Sequence, residues 1–188
     1  MSKILAFSGS SRRGSLNTKL VSIAATAAME QGADVTVIHL GDYPMPIYNA
    51  DLESQHGLPE YAVKFKQLLI DHDGVLIASP EYNSAFSPLL KNAIDWASRK
   101  QTDEESPLLA FRGKFAAIMA ASPGALGGLR GLVFLRMLLA NIGMIVLPEQ
   151  QAIPSAHQAF NQDGSLSNPQ QHQAVCNLGI KLVEILRD

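Results

Sequence analysis

The chain has 188 residues, of which 47% are hydrophobic, and its formal net charge is -2. This length is enough for one well-cored domain and short for two, so we expect a single domain over residues 1–188. The small net charge provides no basic surface for a phosphate backbone, which argues against a nucleic-acid partner. The chain enters a short apolar strand at residues 4–7, and we expect neither a signal peptide nor a membrane span.

The cysteine and histidine residues argue against several kinds of site. Cys176 is the only cysteine, which excludes an intrachain disulfide or a thiolate cluster and is typical of a reducing cytoplasm. The histidines show no zinc-site spacing with carboxylates, so we expect no metal. We interpret Cys176 as a small core residue of the last helix.

Apolar periodicity predicts strands that alternate with helices along the chain. The strands are predicted at 4–7, 35–38, 74–79, 115–120 and 145–147, and the helices begin near Leu16, Pro59, Ser87, Leu126 and Asn168. Phe86 falls on the third helix, and 40–58 and 151–167 are predicted as surface loops. The chain is short for the six-stranded Rossmann order. The pattern therefore favours a flavodoxin-like three-layer α/β sandwich with five parallel strands in the order 2-1-3-4-5.

The loop after the first strand, residues 8–18, is rich in serine and glycine and opens the first helix. Hydroxyls and backbone N–H groups at the positive end of a helix bind phosphate. The loop lacks the Gly-Lys-Ser/Thr of nucleoside triphosphatases and the G-x-G-x-x-G spacing of dinucleotide sites. We therefore expect a mononucleotide, with its phosphate held by Ser10, Ser15, Asn17 and the charge of Arg12. The alternative is an ordinary serine-glycine connection with solvated arginines.

The loop after the third strand begins Pro80-Glu81-Tyr82-Asn83-Ser84. In the predicted order it lies beside the phosphate loop, and Tyr82 offers an aromatic face or edge to a flat ring. The backbone N–H groups of Asn83 and Ser84 are candidate donors to ring heteroatoms. Glu81 resembles an active acid, but we favour a carboxylate that orients the turn or contacts a partner subunit.

The loop after the fourth strand, residues 121–128, ends at the same edge of the sheet. Its N–H groups form a candidate nest for the negative charge of a reduced ring, although a helix start made of small residues is an equal alternative. The apolar helix that follows is predicted to bury either the monomer core alone or a subunit contact as well.

Three segments together resemble the NAD(P)H-dependent FMN reductase family, which includes quinone, azo-dye and chromate reductases. They are residues 9–17, Pro80-Glu81-Tyr82-Asn83, and Leu90-Lys91-Asn92-Ala93-Ile94-Asp95-Trp96. The resemblance implies noncovalent FMN with its phosphate on Ser10, Arg12, Ser15, Leu16 and Asn17, its ring on Pro80 to Asn83, and its far edge on Ser122, Pro123 and Gly124. Many members carry Pro-Gly where this chain has Ser87-Pro88.

The expected function is that of a cytoplasmic oxidoreductase. NADH or NADPH would give a hydride to flavin N5, and a quinone, an azo compound, a chromate-like electrophile or free flavin would then be reduced in a ping-pong sequence. No side chain is expected to act as catalyst. A flavodoxin-type FMN electron carrier is the alternative, which the near-neutral composition opposes. The resemblance also implies a homodimer or homotetramer.

Overall fold

A five-stranded parallel sheet lies between two layers of helices in the computed structural model, which describes residues 1–187. The strands of this sheet are β1 (Lys3–Ser8), β2 (Asp34–His39), β3 (Gly74–Ala78), β6 (Phe115–Ala121) and β7 (Ile145–Ile153). Their spatial order is β2-β1-β3-β6-β7. This is the predicted order 2-1-3-4-5, interrupted along the chain by a hairpin of β4 (Glu81–Tyr82) and β5 (Ala85–Phe86). The predicted fold class is confirmed.

Helices cover both faces of the sheet, as parallel strands require. They are α1 (Leu16–Glu30), α2 (Ala50–His56), α3 (Glu60–Asp71), α4 (Pro88–Ala97), α5 (Leu129–Asn141) and α6 (Pro169–Ile185). Alternate residues of β1 enter opposite cores: Ile4 and Ala6 pack towards α1 and α6, and Leu5 and Phe7 pack towards α3, α4 and α5. Helices α6 and α1 approach each other so closely that a methyl group on Gly179 would overlap the carbonyl oxygen of Ala24.

Helix starts follow the predicted capping residues. Ser87 accepts a hydrogen bond from the N–H of Leu90 at 3.2 Å, with Pro88 at the first helical position. Asn168 accepts from the N–H of Gln170 at 2.9 Å and starts α6 in the same way. Both helices therefore begin where a side-chain oxygen satisfies a free backbone donor.

The helix boundaries differ from the prediction in two places. Phe86 belongs to β5 rather than to α4, because the chain turns back on itself before Ser87 starts the helix. The fifth helix begins at Leu129 rather than near Leu126, because Gly127 and Gly128 have φ values of 63° and 94°. These left-handed conformations are open to glycine and end any right-handed helix.

The two predicted surface loops contain regular structure. A short 3-10 helix at Leu40–Asp42 and helix α2 occupy part of 40–58, and β7 runs on to Ile153. β7 carries a bulge, since Ala116 pairs with Val146 whereas Ile118 pairs with Gln150. The extra residues interrupt the apolar periodicity, and for this reason only the first part of the strand, 145–147, was predicted. Among residues 1–187, no helix is both long and apolar enough to cross a membrane.

Candidate functional site

Three loops converge at the carboxyl edge of the sheet around a cavity of about 120 Å³. The lining residues are Ser10, Arg12, Ser15, Leu16, Asn17, Pro80, Glu81, Tyr82, Ala121, Ser122 and Pro123. All but Ala121 are residues that the sequence singled out individually. Ala121 was included only as the first residue of the predicted loop 121–128, because an alanine side chain carries no chemical signal of its own.

The first turn of α1 offers free backbone donors to this cavity. Ser15 caps the helix by accepting from the N–H of Thr18 at 3.4 Å, and its carbonyl accepts from the N–H of Lys19. These bonds leave the N–H groups of Leu16 and Asn17 without an acceptor within residues 1–187, as expected for a helix N-terminus. Free donors at the positive end of a helix dipole attract an anion.

The side chain of Asn17 performs a different task from the one predicted. Its Nδ2 donates to the carbonyl oxygen of Ala121 and its Oδ1 accepts from the N–H of Ala121, both at 2.9 Å. The residue is buried, and both ends of its amide are used. This bidentate bond ties α1 to the end of β6, so Asn17 can meet a phosphate through its backbone N–H but not through its side chain.

The two arginines of the phosphate loop carry charges that no carboxylate among residues 1–187 neutralises. Arg12 and Arg13 are both exposed, and neither takes part in an ion pair of residues 1–187. Arg12 lines the cavity, whereas Arg13 does not. Since the carboxylate of Glu81 is already paired with Arg130, the net field in the cavity favours an anionic group.

Glu81 anchors the β4–β5 hairpin to the start of α5. Its Oε2 accepts from the N–H of Gly131 at 2.9 Å, and its Oε1 accepts from Arg130 Nη2 at 3.0 Å. Helix α5 has Gly128 at its N-cap and therefore no side-chain cap of its own. The carboxylate fills that role from a neighbouring element, which supports our interpretation of Glu81 as the residue that orients the turn.

Sequence reasoning missed the partners of Glu81. Arg130 and Gly131 stand 49 and 50 residues further along the chain. A Cβ on Gly131 would lie 3.3 Å from the carbonyl oxygen of Ala85 and from Cγ of Glu81. The N–H of a glycine at a helix start and a carboxylate 50 residues away can be recognised as partners only in the folded structure.

Tyr82 and the hairpin turn occupy the rim of the cavity. Tyr82 lines the cavity with 52% of its surface exposed, so one side of the ring is available to a ligand. Asn83 and Ser84 form the turn, with φ values of 51° and 67°. They do not line the cavity but border a second, apolar cleft between the hairpin and α5.

The turn predicts a measurable effect on stability. Ser84 holds a left-handed conformation that costs about 1–2 kcal/mol in an L-residue, against about 0.5–1 kcal/mol of extra chain entropy for glycine. We expect Ser84→Gly to raise the free energy of unfolding by about 0.5–1 kcal/mol in urea denaturation, because Asn-Gly suits such a turn. The same change at Ser54, exposed in α2, should lower it. Loss of stability at both positions would contradict the assigned turn.

Ser122, Pro123 and Gly124 contribute no free N–H to the nest predicted for the third loop, residues 121–128. The N–H of Ser122 donates to the carbonyl of Ile153 at 3.1 Å, and that of Gly124 donates to Ser122 Oγ at 3.3 Å. Proline has no N–H, so these three residues have no free backbone donor. Ser122 and Pro123 line the cavity, whereas Gly124 does not.

Ser87 connects the phosphate loop to α4. Its hydroxyl donates to the carbonyl oxygen of Gly9 at 2.5 Å while capping the helix. A Cβ on Gly9 would lie 3.0 Å from both Ser87 Oγ and Leu90 Cβ. The Ser87-Pro88 pair, where the family often has Pro-Gly, therefore fixes the first loop against the helix that follows the hairpin.

The Leu90-to-Trp96 segment supports a neighbouring loop. Trp96 is fully buried, and its Nε1 donates to the carbonyl oxygen of Pro46 at 2.8 Å. Asn92 donates to the same oxygen at 2.9 Å and accepts from the N–H of Tyr48. This part of the resemblance is thus structural: it holds the loop after β2 at the carboxyl edge.

The remaining titratable candidates lie apart from the cavity. Burial, with a smaller contribution from Glu30, raises the pKa of the Cys176 thiol, which makes it a poor nucleophile at neutral pH. Cys176 is partly buried on α6 and lines a different cavity, between α1 and α6. No cluster of three or more His, Cys, Asp or Glu residues suited to a metal ion occurs within 1–187.

Comparison with known proteins places this geometry in a family. The family model described as NADPH-dependent FMN reductase matches residues 2–158. A probable NADPH:quinone oxidoreductase of Oryza sativa subsp. japonica is 33% identical over 171 residues, covering 89% of this chain and 80% of that protein. An NAD(P)H-dependent FMN reductase of Pseudomonas aeruginosa is 35% identical over 165 residues, covering 87% and 84%.

A solved structure agrees with both relatives. The flavoenzyme NAD(P)H:(acceptor) oxidoreductase from Paracoccus denitrificans superposes with a TM-score of 0.81 at 29% identity, covering 100% of this chain and 98% of that one. The family match extends over all three cavity loops, from the arginines after β1 to the end of β6. On this sequence and structural agreement, the chain belongs to the NADPH-dependent FMN reductase family.

Proposed function

We propose that this protein binds FMN noncovalently in the three-loop cavity and uses it to transfer electrons from NAD(P)H to a small acceptor. One observation carries the proposal: the free N–H groups of Leu16 and Asn17 lie in the same cavity as Arg12 and Tyr82. A charged, donor-rich end and an aromatic rim are what a phosphorylated flat ring requires.

The residues present fit a mononucleotide. The phosphate end would be held by Arg12, by the hydroxyls of Ser10 and Ser15, and by the two free N–H groups of α1. Glu81 does not repel it, because Arg130 and Gly131 already neutralise and bond that carboxylate. The ring would lie along Pro80 and Tyr82, with Ser122 and Pro123 on its other edge. The N–H groups of Asn83 and Ser84 would reach it from the tip of the hairpin.

Bound FMN supplies the redox chemistry, accepting a hydride at N5 and passing two electrons to a second substrate. The chain contributes position and electrostatics. Arg12 and the α1 donors fix the phosphate, and Tyr82 keeps one side of the ring pocket open to solvent and substrate. We assign no side chain to proton transfer, since the one carboxylate in the cavity is engaged at both oxygens.

The acceptor class we propose is a small quinone or a comparable electrophile, such as an azo compound, a chromate-like ion or free flavin. The names of the rice and Pseudomonas relatives support a quinone and a flavin, respectively. Both substrates would use the same open cavity in turn, which gives a ping-pong sequence. We place the protein in the cytoplasm because its single cysteine suits a reducing compartment, and we propose that it forms homo-oligomers.

An anaerobic two-step experiment tests this function. Protein loaded with FMN is mixed with NADPH and the visible flavin absorbance is followed; 1,4-benzoquinone is then added. We expect rapid bleaching, followed by recovery when the quinone is added. Binding without bleaching on the timescale of turnover would instead support the electron carrier, and absence of FMN binding would reject both.

We expect Arg13 to favour NADPH over NADH as the hydride donor. One phosphate of FMN needs one arginine, and Arg13 lies next to Arg12, exposed and without a carboxylate partner among residues 1–187. NADPH differs from NADH by a ribose phosphate that an exposed guanidinium can bind. We expect Arg13→Ala to lower kcat/KM for NADPH about three- to tenfold and to leave that for NADH within about twofold. An equal change for both substrates would refute this assignment.

A further inference from the structure

Gly9, at the start of the phosphate loop, is held by hydrogen bonds on both sides of its backbone. Its N–H donates to the carbonyl of Ala78 at the end of β3, at 2.9 Å. Its carbonyl oxygen accepts from the hydroxyl of Ser87 at 2.5 Å. A Cβ on Gly9 would lie 3.0 Å from Ser87 Oγ, so the missing side chain permits this close approach. The Gly9 backbone is therefore fixed by β3 on one side and by Ser87 on the other.

The orientation of the Gly9 carbonyl determines where the N–H of Ser10 points. The two groups belong to one planar peptide unit, which is trans, and in a trans unit they point in opposite directions. Because the carbonyl faces Ser87, the N–H of Ser10 points away from Ser87. Ser10 lines the cavity and Ser87 does not. The bond from Ser87 therefore turns the carbonyl oxygen of this peptide away from the side on which the N–H stands.

Ser10 has two donors without an acceptor within residues 1–187. The residue is 6% exposed, and its N–H makes no hydrogen bond with any residue that the structure describes. Its hydroxyl oxygen accepts from the N–H of Arg12 at 3.3 Å, which leaves the hydroxyl proton available to a ligand. A buried donor without an acceptor costs free energy. The two donors of Ser10 are thus suited to an anion in the cavity.

Ser87 can hold this peptide because its own side chain is fixed. The residue is 1% exposed, and its Oγ accepts from the N–H of Leu90 at 3.2 Å as the N-cap of α4. The oxygen thus caps the helix while the hydroxyl proton bonds the Gly9 carbonyl. Proline, which many family members carry at this position, has no hydroxyl. The bond between the start of α4 and the phosphate loop therefore depends on the serine of this chain.

We propose that Ser87 is a positioning residue for the FMN phosphate: its hydroxyl holds the Gly9 peptide so that the N–H of Ser10 donates to the phosphate. The inference rests on the proposed function and adds a donor to the free N–H groups of Leu16 and Asn17. The carbonyl oxygen is the negative end of a peptide dipole, so a Gly9 carbonyl turned into the cavity would repel the phosphate. The hydrogen bond from Ser87 prevents this repulsion and presents a donor in its place.

The test compares FMN with riboflavin in Ser87→Ala and Ser87→Gly variants of the full chain. Both variants lack the hydroxyl, but glycine is a well-tolerated N-cap residue, so Ser87→Gly should fold even if the alanine variant does not. Quenching of flavin fluorescence gives each Kd. We expect FMN to bind both variants about three- to tenfold more weakly than the wild type, the net contribution of one hydrogen bond. Riboflavin has no phosphate, and its affinity should not change.

Two further measurements separate positioning of the phosphate from a general loss of stability. Asn168→Gly removes the side-chain N-cap of α6, which lies outside the cavity lining, and should leave both affinities unchanged. In the amide NMR spectrum of the wild type, FMN but not riboflavin should move the Ser10 amide proton downfield, as a hydrogen bond to phosphate does. This displacement should be smaller in Ser87→Gly.

The outcomes distinguish this inference from the function on which it rests. Unchanged FMN affinity in the Ser87 variants, or an equal loss for riboflavin, would overturn the inference alone. A wild-type Ser10 amide proton that does not move with FMN would overturn it as well, and so would an equal loss of FMN affinity in Asn168→Gly. A wild type that binds no FMN would overturn the proposed function together with it.

Discussion

Arg12→Ala is expected to weaken FMN binding by roughly 1.5–3 kcal/mol, or about 10- to 150-fold, the contribution of a charge-assisted hydrogen bond. The guanidinium lines the cavity and has no carboxylate partner within residues 1–187, so its removal leaves no carboxylate newly unpaired. The loss should therefore appear in ligand affinity rather than in folding. Fluorescence titration with FMN measures it directly.

The specificity of this effect can be checked with riboflavin and with a second arginine. Riboflavin has no phosphate, so its affinity should be the same for wild type and Arg12→Ala. Arg112 is exposed just before β6, at the opposite edge of the sheet, and Arg112→Ala should leave FMN binding unchanged. Unchanged FMN affinity in Arg12→Ala, or an equal loss for riboflavin, would contradict the phosphate assignment.

Asn17→Ala is expected to lower the free energy of unfolding by about 2–5 kcal/mol. The substitution removes two hydrogen bonds of 2.9 Å and leaves the N–H and carbonyl of Ala121 unsatisfied in a buried position. Each unsatisfied buried group costs about 1–3 kcal/mol. Against a total stability of about 5–15 kcal/mol for a domain, this is a large share.

Urea denaturation of the wild type and the variant measures this loss. Asn141→Ala is a suitable control, because Asn141 is exposed at the end of α5 and its replacement should change stability by no more than about 0.5 kcal/mol. Equal stabilities of Asn17→Ala and wild type would mean that the hydrogen bonds between the Asn17 side chain and Ala121 contribute nothing to the free energy of unfolding.

The fold was predictable because its signals are local. Apolar runs such as Gly74–Ala78 mark covered parallel strands, and Ser87 and Asn168 mark helix starts through caps that the structure reproduces. The elements that were not predicted interrupt the apolar periodicity of the sequence. The bulge interrupts it in the second half of β7, and the hairpin places Phe86 in a strand although its spacing fits the helix.

The cavity was predictable as a set of loops but not as a set of hydrogen bonds. Strand ends at one edge of a parallel sheet must meet, so the lining of the cavity follows from topology. Which polar groups stay free depends on partners that are distant in sequence. The side-chain amide of Asn17 is bonded to Ala121, and the N–H of Ser122 is bonded to the carbonyl of Ile153. No short sequence motif contains both members of either pair.

The same limit explains Glu81. A carboxylate after a strand suggests an acid, and only the position of α5 shows that both oxygens are used to hold the hairpin. Sequence reasoning favoured the orienting role because flavin chemistry needs no protein nucleophile. The identity of the groups that Glu81 binds required the tertiary structure.

We propose that one cavity joins a phosphate site on α1 to a ring site on the hairpin. Parallel titrations of the wild type with FMN and riboflavin distinguish the two sites. We expect saturable binding of FMN, one molecule per chain, at least about tenfold tighter than riboflavin, since only FMN engages Arg12 and the free N–H groups of α1. Equal affinities for the two flavins, or no binding of either, would contradict it.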